Sequence, residues 1–125
     1  MGVNQRLIEL GIQLPNAPEP AGLYVPCRRL GNVLYTSGQD CRINGKLAYE
    51  GKLGRDLNRV KKIIKLLSFV NSTYDFAVQP AVINGASHVL IDVFKESGKH
   101  ARTALSANSL PFNIPLEIEM ILEFE

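Results

Sequence analysis

Residues 100–125 read HARTALSANSLPFNIPLEIEMILEFE, and this stretch does most to decide the fold. Near its end, apolar and mostly acidic positions alternate: Leu116, Ile118, Met120, Leu122 and Phe124 against Glu117, Glu119, Ile121 and Glu123. This period of two predicts a strand over residues 116–125 with one face against a core. A second strand is predicted just before it, over residues 103–110.

A helix is predicted upstream of these strands. Apolar residues recur at helical spacing after Pro80, and Gly98 closes the segment: Ile83, Ala86, Leu90, Val93 and Phe94. Pro80 is acceptable in a first turn, where its missing donor has no helical partner. Residues 63–70, IIKLLSFV, form a nearly continuous apolar run, which predicts a strand buried on both faces.

An antiparallel hairpin is predicted over residues 23–30 and 32–39, with its turn at Gly31 and Asn32. Opposed residue numbers then sum to 63, so that Cys27 faces Thr36. Cys41 would lie about 16 Å along the strand from Cys27, which is too far for a disulfide. We therefore expect both cysteines to be reduced thiols.

The first part of the chain is predicted to brace the domain. Asn4 can cap a short helix over residues 5–10, with Leu7, Ile8 and Leu10 toward the core and Gly11 in the left-handed conformation. Residues 14–22, LPNAPEPAG, favour an extended strap. Residues 41–54 predict a small turn followed by an irregular excursion.

Length and charge limit the classes of protein to consider. A chain of 125 residues, 46% of them hydrophobic, suits one domain over residues 1–125. Fourteen basic against twelve acidic residues give no electrostatic argument for nucleic acid. No apolar run reaches membrane-spanning length and the start lacks a signal-peptide core, so we expect a soluble cytoplasmic protein.

Few side chains suggest chemistry. Zinc-type spacing, a phosphate-binding glycine loop and a GxSxG elbow are all missing from the sequence. His88 and His100 are expected in surface or capping roles. Arg102 could turn into a cleft and hold a small carboxylate with its guanidinium fork, or form a surface ion pair. Glu117 could orient a water molecule or have a purely structural role.

Six segments together resemble the RidA/YjgF family, also labelled endoribonuclease L-PSP. They follow in the family's order over nearly the whole chain: LGNVLYTSGQ, GKLGRDL, FVNSTYDF, INGAS, HARTALSANSLP and PLEIEMILEFE. The resemblance implies an α+β, chorismate-mutase-like fold, in which helices back a mixed β-sheet. It also implies a homotrimer with clefts between subunits.

The resemblance implies an activity as well, since deaminases of this family hydrolyse 2-imino acids to 2-oxo acids and ammonia without a metal or organic cofactor. By motif, Arg102 corresponds to the residue that holds the substrate carboxylate and Glu117 to the acid that positions water. Further positions are implied to bind substrate: Tyr24, Ser37, Gly38, Asn84 and Thr103. Two alternatives stay open, a non-catalytic carboxylate-binding protein and, more weakly, a ribonuclease.

Two departures from the family pattern stand out. Ala104 occupies a position where many deaminases carry cysteine, which excludes a cysteine-dependent role. Between GKLGRDL and NRVKKIIK the family has an amphipathic helix, but here Leu57 directly precedes Asn58.

This second departure matters because a crossover between strands usually needs about a dozen residues. Either the sequence as written omits a segment, or the helix is truly deleted. A true deletion should leave Ile63, Leu66 and Phe69, or their neighbours, exposed or covered by another subunit. We favour omission, since a bare apolar face promotes aggregation.

Overall fold

The fold is seen in a computed structural model, which describes residues 2–14, 20, 22–39, 42–43, 46–47 and 57–125. Its helices and strands are α1 (Val3–Glu9), β1 (Cys27–Leu30), β2 (Val33–Thr36), β3 (Arg42–Ile43), β4 (Lys46–Leu47), β5 (Val60–Asn71), α2 (Gln79–Phe94), β6 (Ala101–Ala107) and β7 (Leu116–Phe124). Short 3-10 helices cover Leu57–Arg59, Lys95–Gly98 and Pro111–Asn113. Most of the predicted strap and of residues 41–54, with Cys41, lies outside the described residues.

Five strands form one mixed sheet in the order β1-β2-β7-β5-β6. β5 and β6 run parallel and are connected through α2, whereas every other neighbouring pair is antiparallel. Among the described strands, β3 and β4 pair with each other and form a separate two-stranded sheet. The predicted α+β architecture, a mixed sheet backed by helices, is confirmed.

The hairpin of β1 and β2 has the predicted register. Cys27 pairs with Thr36 and Leu30 with Val33, so the paired numbers sum to 63. Gly31 takes a φ of 57° in the turn, a conformation that glycine adopts without strain. Cys27 is an exposed free thiol, while the prediction for Cys41 falls outside the described residues.

The sheet has two unlike faces, which we call the helix face and the open face. On the helix face, α1 and α2 cover apolar residues of β5 and β7, including Ile63, Leu66 and Leu122, each 0% exposed. The open face carries the alternate residues of the same strands, and none of the helices that the structure describes covers it. The prediction that residues 63–70 are buried on both faces is therefore wrong for a single subunit, in which Ile64 is 39% exposed.

The residues described just before β5 form a short 3-10 helix and not a longer crossover helix, and α1 covers part of this face of the sheet. The 3-10 helix Leu57–Arg59 leads directly into β5, and the omission of a segment before Asn58 stays a prediction. Ile63 and Leu66 are nevertheless fully buried, because Val3 and Leu7 of α1 join the same core. Of the residues for which a true deletion predicted exposure, these two are buried, whereas their neighbour Ile64 is 39% exposed.

The boundaries of α1 differ from the prediction. Asn4 lies inside the helix instead of capping it, and the Val3 amide donates to Asn58 Oδ1 at 2.7 Å. Leu7 is buried as predicted, whereas Ile8 and Leu10 are exposed. The reason is helical spacing, since Val3 and Leu7 lie one turn apart and face the sheet together. Gly11, at φ 67°, has the predicted left-handed conformation.

α2 contains the predicted apolar positions but ends at Phe94, where Lys95 takes a φ of 57°. Gly98 does not end α2 as predicted, but lies in the turn that packs closely against it. A Cβ there would lie 2.2 Å from the Leu90 carbonyl oxygen, so the close packing of this turn requires glycine. None of the helices described is long and apolar enough to cross a membrane.

Candidate functional site

Arg102 lies on the helix face of β6, beside Leu66 of β5, and its side chain is fixed by α2. Its Nη1 donates to Asn84 Oδ1 and to Ser87 Oγ, both at 3.0 Å. Its Nη2 donates to the Pro80 carbonyl oxygen at 3.4 Å. These partners are all neutral, so the contacts seen at Arg102 are not those of the surface ion pair considered from the sequence.

The contacts with α2 leave one edge of the guanidinium available. Of the five N–H donors of an arginine, those to Asn84, Ser87 and Pro80 use three, two on Nη1 and one on Nη2. Within the described part of the chain, the Nε–H and the second Nη2–H of Arg102 have no acceptor. Two parallel donors on one edge match the two oxygens of a carboxylate.

Ser87 connects Arg102 to a histidine. His100 Nε2 lies 3.0 Å from Ser87 Oγ, and His100 Nδ1 lies 2.6 Å from the Gly98 carbonyl oxygen. The contact with Gly98 agrees with the local capping role expected for His100. The contact with Ser87 adds a continuous hydrogen-bonded path from the imidazole to the guanidinium.

Glu117 lies on the open face of β7, opposite Phe69 of β5, and Gly38 lies against it. Gln39 and Ile118 exchange two backbone hydrogen bonds of 2.8 and 3.1 Å, which hold the chain after β2 beside β7. A Cβ on Gly38 would be 2.1 Å from Glu117 Oε1. The missing side chain of Gly38 thus makes the space that the Glu117 carboxylate occupies.

Thr103 belongs to the open face, unlike its neighbour Arg102. It lies opposite Leu67 of β5, and its hydroxyl accepts a hydrogen bond of 2.9 Å from Lys65 Nζ. Side chains of consecutive strand residues point to opposite faces. Arg102 and Thr103 therefore cannot contact the same small ligand from one subunit in the way that the motif comparison implied.

Tyr24 and Ser37 share a shallow depression of about 460 Å³ beside the hairpin of β1 and β2. It is lined by Tyr24, Val25, Cys27, Arg28, Tyr35, Thr36 and Ser37. Ser37 Oγ donates to the Val25 carbonyl oxygen at 2.6 Å, and this contact holds the segment before β1 against the end of β2. Ser37 also precedes Gly38, so the depression adjoins the chain segment next to Glu117.

The predicted site residues thus form three groups in one subunit, one of which is Tyr24 and Ser37 in the depression. Arg102 and Asn84 lie together on the helix face, while Glu117, Gly38 and Thr103 lie on the open face. Arg102 and Met120 both pair with Leu66, and Glu117 is three residues from Met120. Two strand spacings and three residues along the strand separate the Cα atoms of Arg102 and Glu117 by about 14 Å.

Two polar contacts at these sites were not predicted from the sequence. Ser87 follows Asn84 by three residues, and that helical spacing could have indicated a shared face. Lys65 lies inside an apolar run and gave no signal. Among the residues that the structure describes, no group of three His, Cys, Asp or Glu side chains is placed to hold a metal ion.

Two proteins of known sequence are similar to this chain, although no protein-family model matches it. Protein TCP17 of Trypanosoma cruzi is 34% identical and covers 97% of this chain and 93% of its own. A RutC family protein of Sulfurisphaera tokodaii is 30% identical over 84% of this chain and 90% of its own. The TCP17 alignment spans 149 positions, at least 24 more than the 125 residues here, so TCP17 carries additional internal residues.

Solved structures share the fold. Atu1372 of Agrobacterium tumefaciens, a protein of unknown function, is 37% identical with a TM-score of 0.84, over 98% of this chain and 92% of its own. A candidate endoribonuclease of Shewanella oneidensis has a TM-score of 0.89 at 26% identity, over 99% and 100% of the two chains. The YjgF gene product of E. coli has a TM-score of 0.58 at 28% identity, over 86% and 93%.

Proposed function

Because this chain belongs to the RidA/YjgF family, as its RutC and YjgF relatives show, we propose that it hydrolyses reactive 2-imino acids and their enamine tautomers to 2-oxo acids and ammonia. The observation that carries this proposal is the Arg102 guanidinium. It is fixed by α2 on one side and keeps two donors for a carboxylate on the other. A bidentate anchor of this kind orients a small acid by its carboxylate.

The proposed reaction is the addition of water to a protonated imine. Water attacks the imine carbon of R–C(=NH2+)–COO− while Glu117 accepts one of its protons, which gives a carbinolamine. The carbinolamine nitrogen takes this proton from Glu117, the C–N bond breaks and ammonia leaves. The hydroxyl proton then passes through Glu117 to the ammonia, which gives the 2-oxo acid and ammonium. The carboxylate of Glu117 is suited to accept and return the transferred proton.

Assembly of the site requires a second subunit in this proposal. One subunit keeps Arg102 and Glu117 on opposite faces of the sheet, about 14 Å apart. We propose a homotrimer in which Arg102 and Asn84 of one subunit meet Glu117 and Gly38 of its neighbour. The depression with Tyr24 and Ser37 adjoins Gly38 in the chain, which would bring it to the same cleft.

A coupled assay with freshly generated 2-iminopropanoate tests the activity. We expect Arg102→Ala to lower kcat/KM by about 100-fold, since a paired charged hydrogen bond contributes roughly 2–3 kcal/mol. Arg29→Ala is the matched control, because Arg29 lies in β1 at the opposite edge of the sheet and loses the same charge. Equal rates of imine loss with and without the wild-type protein would contradict the proposal.

A carboxylate-binding protein without catalysis is the second candidate. The groups that hold Arg102 all belong to one subunit, which favours this candidate. Catalysis would also need Glu117, which lies on the opposite face of the same subunit. Calorimetry with pyruvate distinguishes the two candidates. Binding that depends on Arg102, without turnover of the imine, would establish this alternative.

A further inference from the structure

We propose that His100, acting through Ser87, is a positioning residue and, when protonated, a second cation behind Arg102, so that carboxylate binding is coupled to proton uptake. This inference rests on the anchoring role of Arg102 in the proposed function, but it does not require hydrolysis. Neither the RidA/YjgF resemblance nor the motif comparison assigns a role to His100 or Ser87.

The hydrogen-bond partners determine which ring nitrogen carries the proton in the neutral state. The Gly98 carbonyl oxygen can only accept, so His100 Nδ1 is the donor over their 2.6 Å contact. In neutral His100, Nε2 must then accept, and the Ser87 hydroxyl donates to it. Ser87 Oγ accepts from Arg102 Nη1 at the same time, so all three side chains are oriented together.

Protonation of His100 preserves this arrangement. Nε2 then becomes a donor, and Ser87 Oγ can accept from both His100 and Arg102 because a hydroxyl oxygen has two lone pairs. The partners stay the same, and the change is one added positive charge. Since both nitrogens lie 3.0 Å from Ser87 Oγ, this charge is at most about 6 Å from the Arg102 Nη1.

Other charged or titratable groups lie on the elements around His100 among the described residues. Glu96 and Lys99, on either side of Gly98, form an exposed ion pair of 2.7 Å with each other. Lys65 points to the open face, where it bonds Thr103. On α2, His88 follows Ser87 in the sequence and is exposed. Arg102 is the charged group that the hydrogen-bonded path reaches, so a carboxylate bound there feels the charge of His100.

The coupling predicts tighter carboxylate binding as the pH falls. A negative charge about 8 Å from a new positive charge gains roughly 0.5–1 kcal/mol at the high effective dielectric of a partly exposed site, or about 2- to 5-fold in affinity. By linkage, the same coupling makes the ligand draw a proton onto His100.

The test is calorimetric titration with pyruvate, which remains an anion over the whole range, at about pH 5.8 and pH 7.8. We expect wild-type protein to bind pyruvate about 3-fold more tightly at the lower pH. Repeating the titration near pH 6.5 in two buffers of different ionisation enthalpy should show net proton uptake. His100→Gln should abolish both effects.

His88→Gln is the matched control, since it removes a neighbouring exposed histidine and should behave as wild type. Ser87→Thr, which keeps the hydroxyl, should retain the pH dependence, whereas Ser87→Ala should weaken pyruvate binding at both pH values. Equal pH dependence in wild type and His100→Gln would overturn the role of His100 alone. Failure of wild-type protein to bind pyruvate at either pH would overturn the Arg102 anchor as well.

Discussion

Gly38 shows how one residue can serve a reacting group without contributing a side chain. The Cβ that any other residue would bring lies 2.1 Å from Glu117 Oε1, so the carboxylate would have to move. The three nearest atoms that this Cβ would meet all belong to the Glu117 side chain and none to the backbone, so the fold should tolerate the change. The importance of Gly38 is expected in activity and not in stability.

We predict that Gly38→Ala keeps its melting temperature within a few degrees of wild type but lowers kcat for 2-iminopropanoate by about 10-fold, since a displaced acid no longer orients water. Gly85→Ala is the control for adding a methyl group. Nothing lies within 4 Å of the added Cβ at Gly85, and the helix should gain up to about 1 kcal/mol. Unchanged kcat in Gly38→Ala would contradict the role given to this contact.

Ser68 is a polar residue that is fully buried in the core. It is 0% exposed, and its hydroxyl has no hydrogen-bond partner among the described residues. A buried hydroxyl without a partner costs about 1–3 kcal/mol. We predict that Ser68→Ala is as stable as wild type or more stable by about 1 kcal/mol in urea unfolding. A loss of more than about 1 kcal/mol would show that the hydroxyl is satisfied in solution.

The sequence can indicate a site residue when the pattern that marks it is local. It cannot do so when the residue is marked only by contacts between distant segments. Arg102, Asn84 and Gly38 lie in motifs that can be recognised locally. The path from Arg102 through Ser87 to His100 forms only when α2 packs on β6, and no local pattern specifies that packing. The opposite orientation of Arg102 and Thr103 follows from the alternation of side chains along a strand, which is a local pattern.

At the scale of elements, the short helix α1 covers part of the helix face of the sheet. Its seven residues would not form a stable helix alone, and tertiary contacts hold it in place. The Val3 amide bonds Asn58, the Arg6 Nε donates to the Val93 carbonyl oxygen, and Leu7 enters the core. Asn58, just before β5, and Val93, near the end of α2, therefore belong to the surface on which α1 packs.

We predict that Leu7→Ala lowers the free energy of unfolding by about 2–4 kcal/mol, because it leaves a cavity above β5. Ile8→Ala is the matched control at the next position, where the side chain is 74% exposed, and it should cost less than about 0.5 kcal/mol. Urea unfolding of both variants gives the comparison. Similar losses for the two would mean that α1 does not cover the sheet.

Element types were well predicted, and the misjudged features depend on distant contacts. The hairpin register followed from its turn, and β7 from its alternation. The direct junction of Leu57 and Asn58, where the resemblance implied a crossover helix, was also visible in the sequence. The covering of Ile63 by α1 could not be predicted, because it depends on contacts between residues more than fifty positions apart.

At the scale of the whole molecule, the open face argues for association. Half-exposed and exposed apolar residues there lie beside Glu117 and Lys65, among them Leu67, Phe69, Leu105 and Ile121. A broad face of this composition is typical of a surface that pairs with another copy. The division of the site residues between the two faces leads to the same expectation.

We predict a trimer of about 41 kDa in light scattering at micromolar concentration, three times the chain mass of 13.8 kDa. Glu119→Arg on the open face should shift the mass toward the monomer, since it places a bulky cation in the interface, whereas Lys61→Ala at the exposed start of β5 should not. A mass of 13.8 kDa for the wild-type protein would rule out the shared site.

The most direct test of the central claim, a site shared between subunits, is to co-express Arg102→Ala and Glu117→Gln chains. Each variant alone should be nearly inactive toward 2-iminopropanoate. Random mixing in a closed trimer places an intact Arg102 next to an intact Glu117 of the neighbour at about one interface in four, so about a quarter of wild-type activity should return. If the mixed trimers form but stay as inactive as their parents, Arg102 and Glu117 do not act together across a subunit boundary.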